Sequence, residues 1–297
     1  MKKFMSIIIA SLVIAGTLSA CSNENPTSST ETASSSESEM TSIADTDDTS
    51  SVETKTTSLG ETTAEIIYKS SSFTKDAKKA TFKDGALSIP YRLSAPENYR
   101  DAKLPVLLFL HGSGERGSDN TSQVNTNASI LGKLTKDFYQ EYPCIIIAPQ
   151  CPEGKTWASD EMIEMLVKLV NLVCTTYRAD TDRVYIMGLS MGGAGTWLSI
   201  LSYPEVFAAA VPICGWGYPS DVSMIVDMPI WTFHGAADAT ISVENTQVLV
   251  SLLTDAGSTV IKYTEYPGVP HNSWDTAYTE PGLLAWLFSQ RKTASAE

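Results

Sequence analysis

Three residues in this sequence have the types and the spacing to make an alcohol reactive. Ser190 stands in residues 188–192 (GLSMG), after five residues of strand character and before helix-forming residues that run up to Pro204. A serine on such a strand–turn–helix junction projects its hydroxyl above the sheet edge, where a base can reach it. The glycines on either side indicate that strand and helix cross too closely there for side chains. We therefore predict that Ser190 is a nucleophile.

The base follows by elimination, because the chain has only three histidines. His111 belongs to a glycine-rich loop, and His234 stands four residues before Asp238. His271 alone lies on a late Gly/Pro-rich loop, where an imidazole could swing over Ser190. The order serine, acid, histidine is the chain order found where the serine stands on a strand–turn–helix junction. His271 is thus predicted to be the general base.

The acid has two candidates. Asp238 would hold the His271 tautomer and stabilise the charged imidazole, while Asp275 lies four residues after His271 and is expected at the surface. We favour Asp238, with His234 as a hydrogen-bonded strut for its loop. Because His271 must be neutral to accept a proton, activity is expected to rise with pH.

Two backbone N–H groups could hold a developing oxyanion. One belongs to Met191, which begins the helix after the serine. The other is expected in the loop HGSGERG (111–117), with Ser113 as first choice and Gly114 next, because only bare backbone can approach such an oxygen. The alternative for this loop is a plain turn at a strand end.

The surrounding elements predict an α/β fold. The chain has 297 residues, 43% of them hydrophobic, which suits one globular domain with extensions. After an expected antiparallel pair at 65–73 and 86–93, apolar strands alternate with helical segments such as 159–177 and 242–256, which Ser159 and Ser242 could cap. This alternation predicts a doubly wound, mostly parallel sheet in a catalytic domain over 64–291, followed by a tail at 292–297.

The connections between the expected strands are short, about fifteen residues in the case of Ile213 to Pro229. A large helical lid is therefore not expected, and the cleft should be open. Trp157, Trp216 and Trp274 fall on loops at the active edge. Trp157 and Trp216 are our candidates for stacking on sugar or phenolic rings, the alternative for each being packing within its loop.

The N-terminus has the pattern of an export signal. Residues 1–20 contain Lys2 and Lys3, an apolar run and small residues, and they end in LSA before Cys21, which resembles a bacterial lipobox. We expect lipidation of Cys21, an extracytoplasmic location and anchoring to the cell membrane. Simple secretion is the alternative; a membrane span is disfavoured because the apolar run is shorter than the about 20 residues required.

The segment 22–63 has the composition of a solvated tether. Of its 42 residues, 22 are Ser or Thr, nine are acidic and one is basic. It could hold the domain away from the membrane or be dispensable linker. The whole chain carries a formal charge of −13, and an acidic chain argues against nucleic acid as a partner.

Four cysteines remain besides Cys21. Cys144 and Cys151 flank an expected strand and would lie about 23 Å apart, too far to pair. We favour buried free thiols over disulfides for these two and for Cys174 and Cys214. No Cys/His spacing indicates a metal site, and no motif indicates a cofactor.

The motifs LHGSGERG, PQCP, GLSMGGAGTW, HGAADATI and GVPHNSW together resemble the α/β-hydrolase family over residues 86–290. The resemblance is greatest to its secreted serine esterases, including feruloyl and acetylxylan esterases and polyhydroxyalkanoate depolymerases. It implies Ser190, Asp238 and His271 as a triad, with Met191 and Ser113 as oxyanion donors. The expected open cleft and the tryptophans at the active edge favour a small or polysaccharide-linked ester as substrate.

Two other functions remain open from the sequence. A serine peptidase of the prolyl-oligopeptidase kind shares this catalytic core, although no extra domain that would gate peptides is evident. A non-catalytic, surface-displayed binding lipoprotein would require a geometrically broken triad.

Overall fold

A computed structural model describes residues 77–125, 130–132, 136–218 and 222–292 of the chain. The expected signal sequence, Cys21, the tether, the strand expected at 65–73 and the tail after residue 292 lie outside these residues. Their assignments stay predictions.

The part of the chain that the structure describes forms one sheet of eight strands in the order β1-β2-β4-β3-β5-β6-β7-β8. The strands are β1 (Lys78–Asp84), β2 (Leu87–Ser94), β3 (Val106–Leu110), β4 (Ile145–Pro149), β5 (Val184–Leu189), β6 (Ala209–Ile213), β7 (Ile230–Gly235) and β8 (Ile261–Tyr266). β2 is antiparallel to β1 and to β4, and the other neighbouring pairs are parallel. The predicted mostly parallel sheet is confirmed.

Helices cover both faces of this sheet. They are α1 (Ser122–Asn125), α2 (Lys136–Glu141), α3 (Asp160–Tyr177), α4 (Met191–Ser202), α5 (Glu244–Asp255), α6 (Trp274–Ala277) and α7 (Leu283–Ser289). Apolar residues of α3, α4 and α5 form a core on one face, and those of α7 contribute to a second core on the other. All positions of β3, β4, β5, β6 and β7 are therefore buried, which explains their continuous apolar sequence.

The leading antiparallel pair differs from the prediction in its first strand. β2 is close to the segment expected at 86–93, but its partner is Lys78–Asp84 and is joined to it by a tight turn at Gly85 with φ +58°. Only Phe82 of β1 is buried, and its lysines are exposed. An edge strand rich in lysine carries little hydrophobic signal, and such charges also discourage pairing with another chain.

One detail of the helices also differs from the prediction. Ser159 precedes α3 as expected, yet its hydroxyl donates to the Thr156 carbonyl at 3.1 Å and makes no cap bond. The helix begins without that side-chain cap, and Asp160 and Glu161 in its first turn suit its positive end.

The cysteines within the described part of the chain, Cys144, Cys151, Cys174 and Cys214, are free and buried. The preference for thiols over disulfides is thus confirmed. Burial raises the pKa of Cys151 and of Cys174 to about 11, so both thiols are protonated at neutral pH.

The connection from β6 to β7 begins at the edge where the parallel strands end. In the described portion of the β6–β7 connection, the only helical element is a short 3₁₀ turn at Ser223–Ile225, so the expectation of no large lid holds there. Among the residues placed by the structure, no helix combines the length and the apolarity needed to cross a membrane.

Candidate active site

Ser190 occupies the sharp turn between β5 and α4. Its backbone has φ 54° and ψ −118°, a conformation that a residue with a side chain rarely adopts. A Cβ at Gly188 would lie 2.3 Å from the Gly192 carbonyl oxygen, and one at Gly192 would lie 2.1 Å from the Leu110 carbonyl oxygen. Both flanking positions therefore need glycine, as the sequence indicated, and the strained turn presents the serine side chain at the sheet edge.

The structure brings His271 to Ser190 although 81 positions separate them in the chain. The Ser190 Oγ lies 2.8 Å from His271 Nε2, and His271 Nδ1 lies 2.7 Å from Asp238 Oδ2. Because a carboxylate only accepts hydrogen bonds, Nδ1 carries the proton. Nε2 is then free to accept the hydrogen of the Ser190 hydroxyl, which is the geometry of a nucleophile paired with its base.

Asp238 is held by four donors. Its Oδ1 accepts from the N–H groups of Thr240 and Ile241 at 2.8 and 2.9 Å, and its Oδ2 accepts from His271 and contacts His234 Nε2 at 3.2 Å. Burial alone would raise the pKa of Asp238. The hydrogen bonds from His271 and from the two backbone N–H groups outweigh it and lower that pKa, so the group is a carboxylate at neutral pH.

His234 supports the Asp238 loop, as the sequence predicted. Its Nε2 faces both Asp238 and the Ile241 carbonyl, 3.0 Å away, so Nε2 carries the proton, while Nδ1 accepts from the Thr246 hydroxyl at 2.8 Å. The side chain is fully buried, and burial lowers its pKa. The alternative acid Asp275 is exposed and accepts a hydrogen bond from Asn272.

Both candidate oxyanion donors lie near the nucleophile. Met191 is the first residue of α4, where helix N–H groups have no partner within the helix. Ser113 begins a 3₁₀ turn, Ser113–Glu115, just after β3. A Cβ at the preceding Gly112 would lie 3.8 Å from Ser190 Cβ and 2.9 Å from a methyl of Leu189, so this loop packs directly beside the serine.

Trp157 does not bind substrate as we predicted. Its side chain is fully buried, and its Nε1 donates to the His111 carbonyl at 3.2 Å. The ring packs edge-on against His111, with centroids 5.2 Å apart. A tryptophan with no exposed face cannot stack on a sugar. Its indole ring instead packs inside the protein, and its N–H donates a hydrogen bond there.

Trp216 lies on the loop after β6 and is half-buried. Its ring makes an edge contact with Tyr218, which is 60% exposed and lines a surface groove of about 210 Å³ between α3 and α4. Trp274 packs edge-on against the His271 ring at 5.4 Å, which helps to orient the histidine. Of the two tryptophans predicted to stack on substrate, Trp216 therefore remains the candidate.

Cys214 is a neighbour of the site that the sequence did not reveal. It directly follows β6 with φ 39°, and its Sγ lies within 4.8 Å of atoms of Asp238 and His271. Burial raises the pKa of this thiol to about 12. A protonated thiol beside a carboxylate and imidazole that already bond each other is poorly prepared to ligate a metal.

A doubly wound sheet of this strand order, with the serine on the turn after β5 and a histidine beside it, is an α/β-hydrolase fold. Residues 90–269 match the family described as esterase PHB depolymerase. The chain belongs to this family.

Known proteins agree with this assignment. A thermostable esterase of known structure is 39% identical, with a TM-score of 0.71, over 74% of this chain and 64% of that one. A probable SOBER1-like carboxylesterase of Arabidopsis thaliana is 27% identical over 68% of this chain and 85% of its own length. Feruloyl esterase B of Neurospora crassa is 28% identical over 38% of this chain, and the match spans 39% of that enzyme.

The protonation of His111 generates a prediction for stability. Burial lowers the pKa of His111 to about 4, although its hydrogen bond to the Gly112 carbonyl acts in the opposite direction. Between about pH 6.5 and 4 the unfolded chain binds a proton that the folded chain does not, so folded-state stability falls as the pH decreases. Replacement by asparagine, which keeps a donor near Nδ1, removes this titration.

We expect the free energy of unfolding of the wild type to fall between pH 7 and pH 5 by about 2 kcal/mol more than that of His111→Asn. Urea denaturation at the two pH values measures both changes. Parallel losses in the two proteins would show that His111 is not the neutral buried group described above.

Proposed function

We propose that the chain is a serine esterase that acts through an acyl-enzyme on Ser190, with His271 as general base and Asp238 as the group that orients it. The observation that carries the proposal is the continuous hydrogen-bonded line from Ser190 Oγ through His271 to the buried Asp238 carboxylate, with distances of 2.8 and 2.7 Å. A merely structural serine has no need of a base that is held in one tautomer.

The reaction proceeds in two acyl transfers. His271 Nε2 takes the Ser190 proton as Oγ attacks the ester carbonyl carbon, and the imidazolium then gives that proton to the leaving alcohol. Water, deprotonated by His271, attacks the acyl-enzyme, and the proton returns to Ser190 as the acid is released. The Asp238 carboxylate stabilises the charged imidazolium in both steps.

The N–H groups of Met191 and Ser113 hold the oxyanion that forms in each step. Both belong to backbone that is fixed before substrate arrives, one at the start of α4 and the other in the turn after β3. Donors that need no rearrangement stabilise the transition state more than donors that must first be ordered. Gly114 is the alternative to Ser113 as the second donor.

The proposed substrates are small acyl or aryl esters, including esters linked to carbohydrate. Trp216 is half-buried on the loop after β6, at the same edge of the sheet as Ser190, and its ring supports stacking on an aromatic or sugar ring. The similarity to feruloyl esterase B supports an aromatic acyl group.

The proposed location is outside the cytoplasm, at the membrane. The lipobox-like LSA before Cys21 and the Ser/Thr-rich segment that follows support a lipid-anchored enzyme on a solvated tether. Its ester substrates would then be extracellular.

The triad is tested by Ser190→Ala, His271→Ala and Asp238→Asn. We expect each to lower kcat for p-nitrophenyl acetate by about 10³-fold or more, since the three act as one unit. The Asp275→Asn variant is the matched control and should retain wild-type kcat.

A fluorophosphonate probe should label the wild type and not Ser190→Ala. Failure of the wild type to react with the probe or with any ester would favour a binding protein.

The substrate class is tested with p-nitrophenyl acetate, methyl ferulate and acetylated xylan. Because Trp216 is proposed to contact the aromatic part of the substrate, Trp216→Ala should raise KM for methyl ferulate about 10-fold and leave p-nitrophenyl acetate hydrolysis near wild type. Equal losses on both esters would place Trp216 in packing alone. Cleavage of a chromogenic peptide without ester hydrolysis would favour a peptidase.

The anchor is tested by expressing the full chain and Cys21→Ala in a bacterium that processes lipoproteins. The wild type should partition into the detergent phase of Triton X-114, because one diacylglyceryl chain pair gives stable membrane binding. The variant should partition into the aqueous phase. Aqueous partitioning of the wild type would contradict lipidation.

A further inference from the structure

The loop after β3, which carries the Ser113 donor, is hydrogen-bonded to the segment after β4. We refer to residues 150–157 as the support segment. Hydrogen bonds join it to the loop at both ends. The support segment donates three of them: Cys151 N–H to His111 Nε2 at 2.9 Å, Gln150 Nε2 to the Glu115 carbonyl at 3.1 Å and Trp157 Nε1 to the His111 carbonyl at 3.2 Å. The loop donates two: Gly117 N–H to the Cys151 carbonyl at 2.9 Å and Arg116 Nε to the Lys155 carbonyl at 2.6 Å. The conformation of this loop therefore depends on contacts outside it.

Trp157 also contacts α4, the helix that begins directly after Ser190. A Cβ at Gly195 would lie only 2.5 Å from the Trp157 Cβ, so the tryptophan packs closely against the helix at this glycine. Its Nε1 holds the His111 carbonyl, two residues before Ser113. One fully buried side chain thus contacts the loop of one oxyanion donor and the helix of the other.

We propose that Trp157 is a positioning residue that sets the separation between the Met191 and Ser113 N–H groups. This inference rests on the proposed esterase function. Oxyanion donors act only if both lie at hydrogen-bond distance from the oxygen in the transition state, so small displacements of the loop reduce catalysis. An interaction made only in the transition state changes kcat rather than KM, so we expect the KM to depend little on this spacing.

A purely structural role for Trp157 makes a different prediction, and Trp197 provides the comparison. Trp197 is also fully buried in the same core and lies on α4, but its Nε1 has no hydrogen-bond partner among the residues that the structure describes. Replacement by phenylalanine removes a similar volume at either position. Only Trp157→Phe also removes a hydrogen bond to the loop after β3, which carries the Ser113 donor.

The experiment compares Trp157→Phe and Trp197→Phe in full-length protein, with p-nitrophenyl acetate as substrate. We expect both variants to lose stability in urea, since each leaves a cavity. Trp157→Phe should lower kcat about 10- to 100-fold with KM within about 2-fold of the wild type, because a displaced donor weakens only the transition state. Trp197→Phe should keep wild-type kcat.

Inhibition by a trifluoromethyl ketone gives a second measurement. This inhibitor forms an oxyanion on Ser190, so Trp157→Phe should weaken it by about the same factor as kcat. Equal kcat in the two variants, or a change in KM alone, would overturn the inference. Labelling of Ser190 by the fluorophosphonate probe in the same samples shows that the proposed esterase function stands in that case.

If Trp157→Phe does not fold, Arg116→Ala provides a second test of the inference. Arg116 is half-buried, and its Nε bond to the Lys155 carbonyl is a second tie between the loop and the support segment. The variant should likewise lower kcat and trifluoromethyl ketone affinity together, with KM unchanged. Unchanged kcat in Arg116→Ala would then reject positioning by the support segment.

Discussion

The structure depends on one close contact of backbone against backbone. The first turn of α4 lies between the ends of β3 and β6, so that a Cβ at Gly192 would meet the Leu110 carbonyl and one at Gly193 would lie 2.3 Å from the Ile213 carbonyl. This approach forces the strained turn at Ser190 and sets the Met191 N–H beside the loop after β3. The cost of the strained turn is offset by the packing of α4 into the core on one face of the sheet.

Around that contact, the site is built from buried polar groups that have fixed protonation states. His111 and His234 are neutral donors and acceptors inside the protein, while Asp238 is charged because four donors surround it. Such groups are stable in the interior only when they are paired. The hydrogen bonds of Asp238 orient His271, and those of His111 hold the loop after β3. The bonds that allow these polar groups to be buried therefore also order the reacting groups.

Much of this arrangement could be predicted from the sequence. The Gly-x-Ser-x-Gly turn and the order of the motifs indicated the fold, and with only three histidines the partners of Ser190 could be found by elimination. The continuous apolar strands were recognisable because both faces of the sheet are covered. Asp238 could be preferred over Asp275 because it follows a strand that ends at the active edge.

Other features could not be predicted, for physical reasons. Sequence places Trp157 on a loop at the active edge, but whether its ring faces the cleft or the core depends on the helix that packs against it. The edge strand β1 has a single buried residue and so lacks the alternation that marks a half-buried strand. Cys214 and Ser273 meet near Asp238 only through tertiary packing, and neither belongs to a motif with a known spacing.

The buried thiols have a consequence for biogenesis. No pair among the cysteines that the structure describes is cross-linked, and each of these sulfurs lies inside the packed interior. This part of the chain therefore folds without forming a disulfide bond, and a reducing environment breaks no covalent bond in its native state. Folding of this part of the chain therefore requires neither an oxidising compartment nor a thiol oxidase.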